Sequence, residues 1–202
     1  ADLLAGDGAF ADQADVDAWD EYEYGSATIT PTLGTDQVTL AVVANDPPVA
    51  TDVHFDHAIS AIAAGSYYRL TFRASSTTNQ QINPRLVQTG NIKANFGPFT
   101  LDGTLREYTA TVLATVDGSG TLRFQLGYAT GNVVLADVTL REVFQPVAWK
   151  REYQHGAAVV NPYDASATLA MPGYVTMDGT DAASVTVAAK DGALLLKKAA
   201  PY

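Results

Sequence analysis

The chain has 202 residues, of which 47% are hydrophobic and 17% charged; it carries a net charge of −10 and no cysteine. That composition supports a packed core and excludes a disordered chain, a disulfide framework, a thiolate metal site and a cysteine nucleophile. The acidity argues against nucleic acid or an anionic membrane surface as partner, because both need clustered Lys and Arg, and no run approaches the roughly 20 apolar residues of a membrane helix.

Helical periodicity is nearly absent. Period-two alternation recurs in short runs punctuated by Gly, Pro, Asn and Asp, the mark of an antiparallel β-protein. In chain order the expected strands are 27–29, 37–43, 52–57, 67–74, 82–87, 107–114, 122–128 and 133–142. Residues 57–64, the longest helical candidate, end at Gly65 and read as a loop or a single turn. Each strand has one apolar face to bury, so a two-sheet sandwich is the natural architecture. Parity assigns Val53, Phe55, Tyr68, Leu70, Phe72, Leu122, Phe124 and Leu126 to the interior. It assigns His54, Asp56, Asn83, Arg85, Arg123 and Gln125 to the outer face, with His57 opposite to His54 and Asp56.

A boundary is expected within 144–149, where Pro146 cannot donate to a sheet ladder. It divides a first domain, 1–143, from a smaller antiparallel β-domain, 144–202. The expected strands of the latter are 150–153, 157–161, 167–171, 174–177, 184–188 and 193–196, with turns at His155-Gly156, Pro172-Gly173, Asp178-Gly179 and Asp191-Gly192. Trp149 and Tyr153 are expected to join the two domains. The chain starts Ala-Asp, without Met or a visible signal peptide, and so reads as a processed mature form or a piece of something longer.

The opening Leu3-Leu4, Gly8, Phe10 and Trp19 precede a Gly-x-Tyr strand, Gly65-Ser66-Tyr67-Tyr68-Arg69-Leu70-Thr71-Phe72. Arg106-Glu107-Tyr108-Thr109-Ala110-Thr111-Val112 follows, and Val133-Val134-Leu135-Ala136-Asp137-Val138-Thr139-Leu140 closes the segment. In order and spacing, residues 1–143 resemble jelly-roll carbohydrate-binding modules of the family 4/9, 16 and 22 type. The resemblance implies an all-β jelly-roll sandwich that is secreted or at the cell surface and binds polysaccharide or oligosaccharide on one concave sheet face. The residues it points to are Trp19, Tyr22, Tyr24, His54, Asp56, Asn83, Arg85, Gln125 and Tyr128, with Trp19 where such modules often place an aromatic platform.

The same resemblance implies a structural calcium. Two positions where the family has acidic ligands are Ala11 and Ala136 here, which leaves Asp7, Asp12 and Asp137 as candidate ligands. Residues 151–162 and 185–196 look like the C-terminal β-domain closing some barrel-type glycoside hydrolases. This implies a non-catalytic accessory portion of such an enzyme, with the catalytic domain as a partner elsewhere. No cofactor is indicated. No Gly-x-Ser-x-Gly elbow, phosphate loop or His-Glu-x-x-His is present, so no catalytic residue is assigned. Two other readings stay open: a structural or assembly β-sandwich without sugar binding, and a hydrolase or lyase if carboxylates or a His–Tyr pair cluster in a deep cleft.

Overall fold

In the computed structural model, residues 2–88, 91–143, 148–162 and 166–198 are described, and they form almost wholly antiparallel strands. The chain divides into two units, 1–143 and 144–202, each with its own hydrophobic cluster. Pro146 lies outside the described residues.

The strands of the first unit are β1 (Trp19–Glu23), β2 (Thr28–Leu33), β3 (Val38–Val43), β4 (Val53–Ile62), β5 (Tyr67–Ser76) and β6 (Gln80–Gln88). They continue with β7 (Asn91–Asn95), β8 (Phe99–Leu101), β9 (Arg106–Leu113), β10 (Gly118–Gln125) and β11 (Gly131–Val143). One sheet runs β1-β4-β10-β6-β7, with β8 also paired to β6; the other runs β2-β3-β11-β5-β9. From β4 to β6 and from β9 to β11, consecutive strands alternate between the two sheets, giving an antiparallel jelly-roll sandwich. The interior parity read from sequence holds: Val53, Phe55, Leu70, Phe72, Leu122, Phe124 and Leu126 are fully buried, and Tyr68 nearly so. Phe72 from one sheet meets Phe124 from the other edge to face, with centroids 5.3 Å apart, and Phe124 lies 5.9 Å from Trp19. This aromatic cluster ties the layers together beyond what its buried area alone contributes.

Three segments differ from the sequence reading. Of residues 57–64, those up to Ile62 are neither loop nor turn but the continuation of β4, and only Ala63 and Ala64 belong to the turn before Gly65. Ile59 and Ile62 are buried there, and β10 follows them through a bulge between Gly118 and Gly120. The acidic stretch after Trp19 is a strand, β1, preceded by a five-residue helix α1 (Gln13–Asp17) capped by the Asp12 carboxylate. The polar strand β7 carries no apolar alternation. It is held instead by Lys93, whose fully buried ammonium donates to the Val116 carbonyl at 3.1 Å and to that of Asp117.

The second unit contains β12 (Trp149–Glu152), β13 (Gly156–Asn161), β14 (Ala167–Ala170), β15 (Tyr174–Val175), β16 (Ser184–Val187) and β17 (Asp191–Lys197). A four-stranded sheet has the order β12-β13-β17-β15, and β14 pairs with β16. Val159, Met171, Tyr174, Val187 and Leu195 form its core. Buried Asn161 donates to the carbonyls of Val187 and Ala188 at 3.1 and 2.9 Å. Trp149 opens β12 and Tyr153 follows it directly.

Candidate functional site

Alternation along each strand and register between strands together build a polar face on the β1-β4-β10-β6-β7 sheet. Tyr22, His54, Gln125 and Asn83 are successive cross-strand partners in one row. Asp20, Asp56, Arg123, Arg85 and Asn95 form the next row on the same face. Six of the nine candidate residues are therefore brought together in these two rows, and Tyr24 follows β1 directly.

Two candidates are not. Trp19 points the other way and is a correction to the expected aromatic platform: it is 2% exposed, stacks on Phe55 at 5.0 Å and 9°, and donates its indole N–H to the Asp7 carbonyl at 3.3 Å. Its place in β1 has the same parity as buried Phe55 opposite Glu21, so it seals the core. Tyr128 lies in the turn after β10 and lines neither depression described below.

The face is also less open than alternation implies. His54, Asp56, Asn83 and Gln125 face outward yet are 4%, 8%, 3% and 4% exposed. Directly opposite side chains stand only about 5 Å apart, and the long Tyr22, Arg123 and Arg85 side chains cover their shorter neighbours. Arg123 grips Asp56 with Nε at 3.1 Å from both carboxylate oxygens and Nη2 at 2.7 Å from Oδ2. Burial pushes the Asp56 carboxyl above its usual range, and the guanidinium pulls against that shift. The Asn83 amide, oriented to satisfy both its ends, accepts from Arg85 Nε and Nη2 at 3.1 and 2.7 Å and donates to Asn95 Oδ1 at 2.9 Å.

Two depressions flank Arg123. The first, of about 400 Å³, is lined by Tyr22, Tyr24, Thr51, Asp52, His54 and Arg123. Asn45 shapes its rim by donating to Asp52 Oδ2 at 2.5 Å and to the Tyr24 carbonyl at 2.9 Å. Tyr22 stacks on His54, ring centroids 4.7 Å apart and 15° from parallel, while remaining 45% exposed. Burial, reinforced by Arg123, lowers the His54 pKa to about 4, so the ring is neutral at pH 7. The Thr51 backbone acts in the opposite direction, and neither ring nitrogen has a hydrogen-bond partner among the described residues. The second depression, of about 190 Å³, includes Arg85, Gln88, Asn91, Arg123 and Gln125. Sequence reasoning missed Asp20, Thr51, Asp52 and Asn95 as members of this face. Recognising β1 and β7 as strands would have exposed Asp20 and Asn95, and Asp52 shares the parity of His54 and Asp56 within the expected strand 52–57, whereas Thr51 lies in the short turn before β4 that alternation does not reach.

Solved structures similar to this chain include a family 4 carbohydrate-binding module, at 22% identity and a TM-score of 0.54 over 63% of this chain and 96% of that one. The N-terminal cellulose-binding domain of Cellulomonas fimi β-1,4-glucanase C gives 22% and 0.54 over 72% and 99%. The fold is that of a carbohydrate-binding module. The CBM22-1 xylan-binding domain of Paenibacillus barcinonensis Xyn10C shares it at 8% identity and a TM-score of 0.51, over 68% of this chain and 93% of that one. No family model matches the sequence, and no curated protein sequence matches it.

The calcium that carbohydrate-binding modules of this kind imply does not fit the residues present. Asp7 receives His57 Nε2 at 2.9 Å, Asp12 caps α1, and Asp137 pairs with Arg73 at 3.2 Å. Among the described residues no three His, Asp or Glu side chains gather as a metal ion requires. Nor is any described helix long and apolar enough to cross a membrane.

Proposed function

We propose that the chain binds polysaccharide, without chemistry of its own, along the polar face of the β1-β4-β10-β6-β7 sheet. The observation carrying this reading is the pair of cross-strand rows, where amides and guanidinium groups share one face beside two exposed tyrosines, one of them stacked on His54. Sugar hydroxyls need fixed donors and acceptors, and the apolar face of a pyranose needs an aromatic ring. Tyr22 has one ring face on His54 and is exposed enough to offer the other. The fold shared with cellulose- and xylan-binding domains supports the same reading.

We further place the chain as an accessory portion of a longer secreted sugar-processing protein, where it would raise the effective concentration of substrate beside a linked catalytic domain. Affinity electrophoresis over a panel of soluble polysaccharides tests the binding. Retardation by at least one glycan, weakened about tenfold by Tyr22→Ala and untouched by Trp19→Phe, is the expected result. Folded protein that migrates unretarded through every glycan would sink the reading. The assembly alternative draws on the second unit, where Trp149, Val160, Leu194 and Leu196 are exposed; concentration-dependent self-association in sedimentation velocity, without glycan retardation, would favour it.

A further inference from the structure

Charge is distributed unevenly over the polar face. Its carboxylates sit on one side: Asp20 on β1, Asp52 just before β4 and Asp56 on β4. Among the described residues, none that lines the second depression, toward β6 and β7, is acidic. Arg85 and Arg123 are direct cross-strand partners there, and like charges placed opposite one another are destabilising. Arg123 is neutralised by Asp56. Arg85 makes no ion pair among the described residues, although the chain holds 22 acidic residues against 12 Lys and Arg. It is half-buried and rests two of its N–H groups on a neutral amide, Asn83, itself fixed by Asn95. An amide oxygen orients a guanidinium without cancelling its charge. Arg69 and Arg141 also face each other, on the outer side of the other sheet, but both are exposed and water screens them.

Resting on the glycan-binding reading, we propose that the Arg85 end of this face receives the carboxylate of an acidic sugar, so that the polysaccharide bound carries uronic acids. A planar guanidinium held in place matches a planar carboxylate through paired N–H bonds, and such charge-assisted bonds are about twice as strong as neutral ones. The amides of Gln88, Asn91 and Gln125 beside it are suited to the ring hydroxyls, which carry no charge. At the other end Tyr22 and Tyr24 supply the ring faces on which a neighbouring residue of the same polymer stacks. The bound carboxylate gives Arg85 the counter-charge it lacks, which a neutral sugar does not.

The test is affinity electrophoresis of the full chain in gels containing polygalacturonate, alginate, the same polygalacturonate after chemical reduction of its carboxyl groups, a neutral xylan, a neutral β-glucan and a sulfated galactan. Expected is retardation by a uronate polymer that disappears on carboxyl reduction and falls about tenfold or more in Arg85→Gln, with thermal unfolding of the variant unchanged. The carboxyl-reduced polymer tests the wild type directly, so a poorly folding variant does not blunt the result. Equal retardation by neutral and uronate polymers overturns the acidic-sugar assignment and leaves the glycan reading standing. Retardation by the sulfated galactan alone also overturns it, in favour of sulfate esters. No retardation by any polymer removes both.

Discussion

His54 holds two ring nitrogens where water barely reaches them, and that fixes a pH response. Its pKa of about 4 in the fold lies below the ordinary 6.5, so between those values the unfolded chain binds the additional proton. Stability is therefore fully present above pH 6.5 and is lost as pH falls toward 4, by about 2–3 kcal/mol after allowance for partial solvent screening. Urea midpoints across that range should drop more steeply for the wild type than for His54→Gln; parallel curves would contradict the assignment. Trp19 belongs to the same scale. Buried against Phe10, Phe55 and Phe124, it should cost about 3–5 kcal/mol when replaced by Ala. Trp19→Phe should cost less and leave glycan affinity intact, a comparison that an exposed sugar platform would fail.

At the level of elements, the amino-terminal segment is sewn to the last strand of the sandwich. The Asp2 carboxylate accepts from the Leu140 N–H at 3.0 Å, and the Leu3 N–H donates to the Leu140 carbonyl at 2.7 Å. Between Ala136 and Thr139 β11 bulges, with Asp137 at φ 51°. Gly8 packs against this bulge so closely that a Cβ there would lie 2.0 Å from the Val138 carbonyl oxygen. Gly8→Ala must push backbone aside and should cost about 1–3 kcal/mol in urea unfolding. The acids near this junction are already engaged, Asp7 by His57 and Asp137 by Arg73. The melting temperature should therefore be indifferent to both chelator and added calcium; a calcium-dependent rise would show that these pairs open to admit the ion.

For the molecule as a whole, two separate hydrophobic clusters serve two units. The first includes 30 buried hydrophobic residues and the second nine, a difference that decides which can stand alone. Residues 1–143 expressed by themselves should fold cooperatively and keep any glycan retardation of the full chain, because every residue lining the two depressions lies within them. Residues 144–202, with so small a core, should be marginal in isolation. Circular dichroism melting of both pieces decides the matter, and an unfolded 1–143 would show that the units are energetically one.

Alternation is a local property, and it sufficed to show an all-β chain and to put His54, Asp56, Asn83, Arg85, Arg123 and Gln125 on one side of their strands and His57 on the other. The ordered motif from Leu3 to Leu140 likewise pointed to the jelly roll that the solved structures share. Local pattern said nothing of β7, whose polar residues lack a period, and it took 58–62 out of their strand because Ala and Ser there blur the alternation. Only the tertiary structure set the register that lines up Tyr22, His54, Gln125 and Asn83, residues far apart in sequence. Only it placed Trp19 in the core rather than on the surface, closed the candidate calcium acids into other pairs, and left Arg85 without a carboxylate among the described residues. Those outcomes depend on which strand lies beside which. Pairing is chosen by the burial of the whole sandwich and not by any one segment.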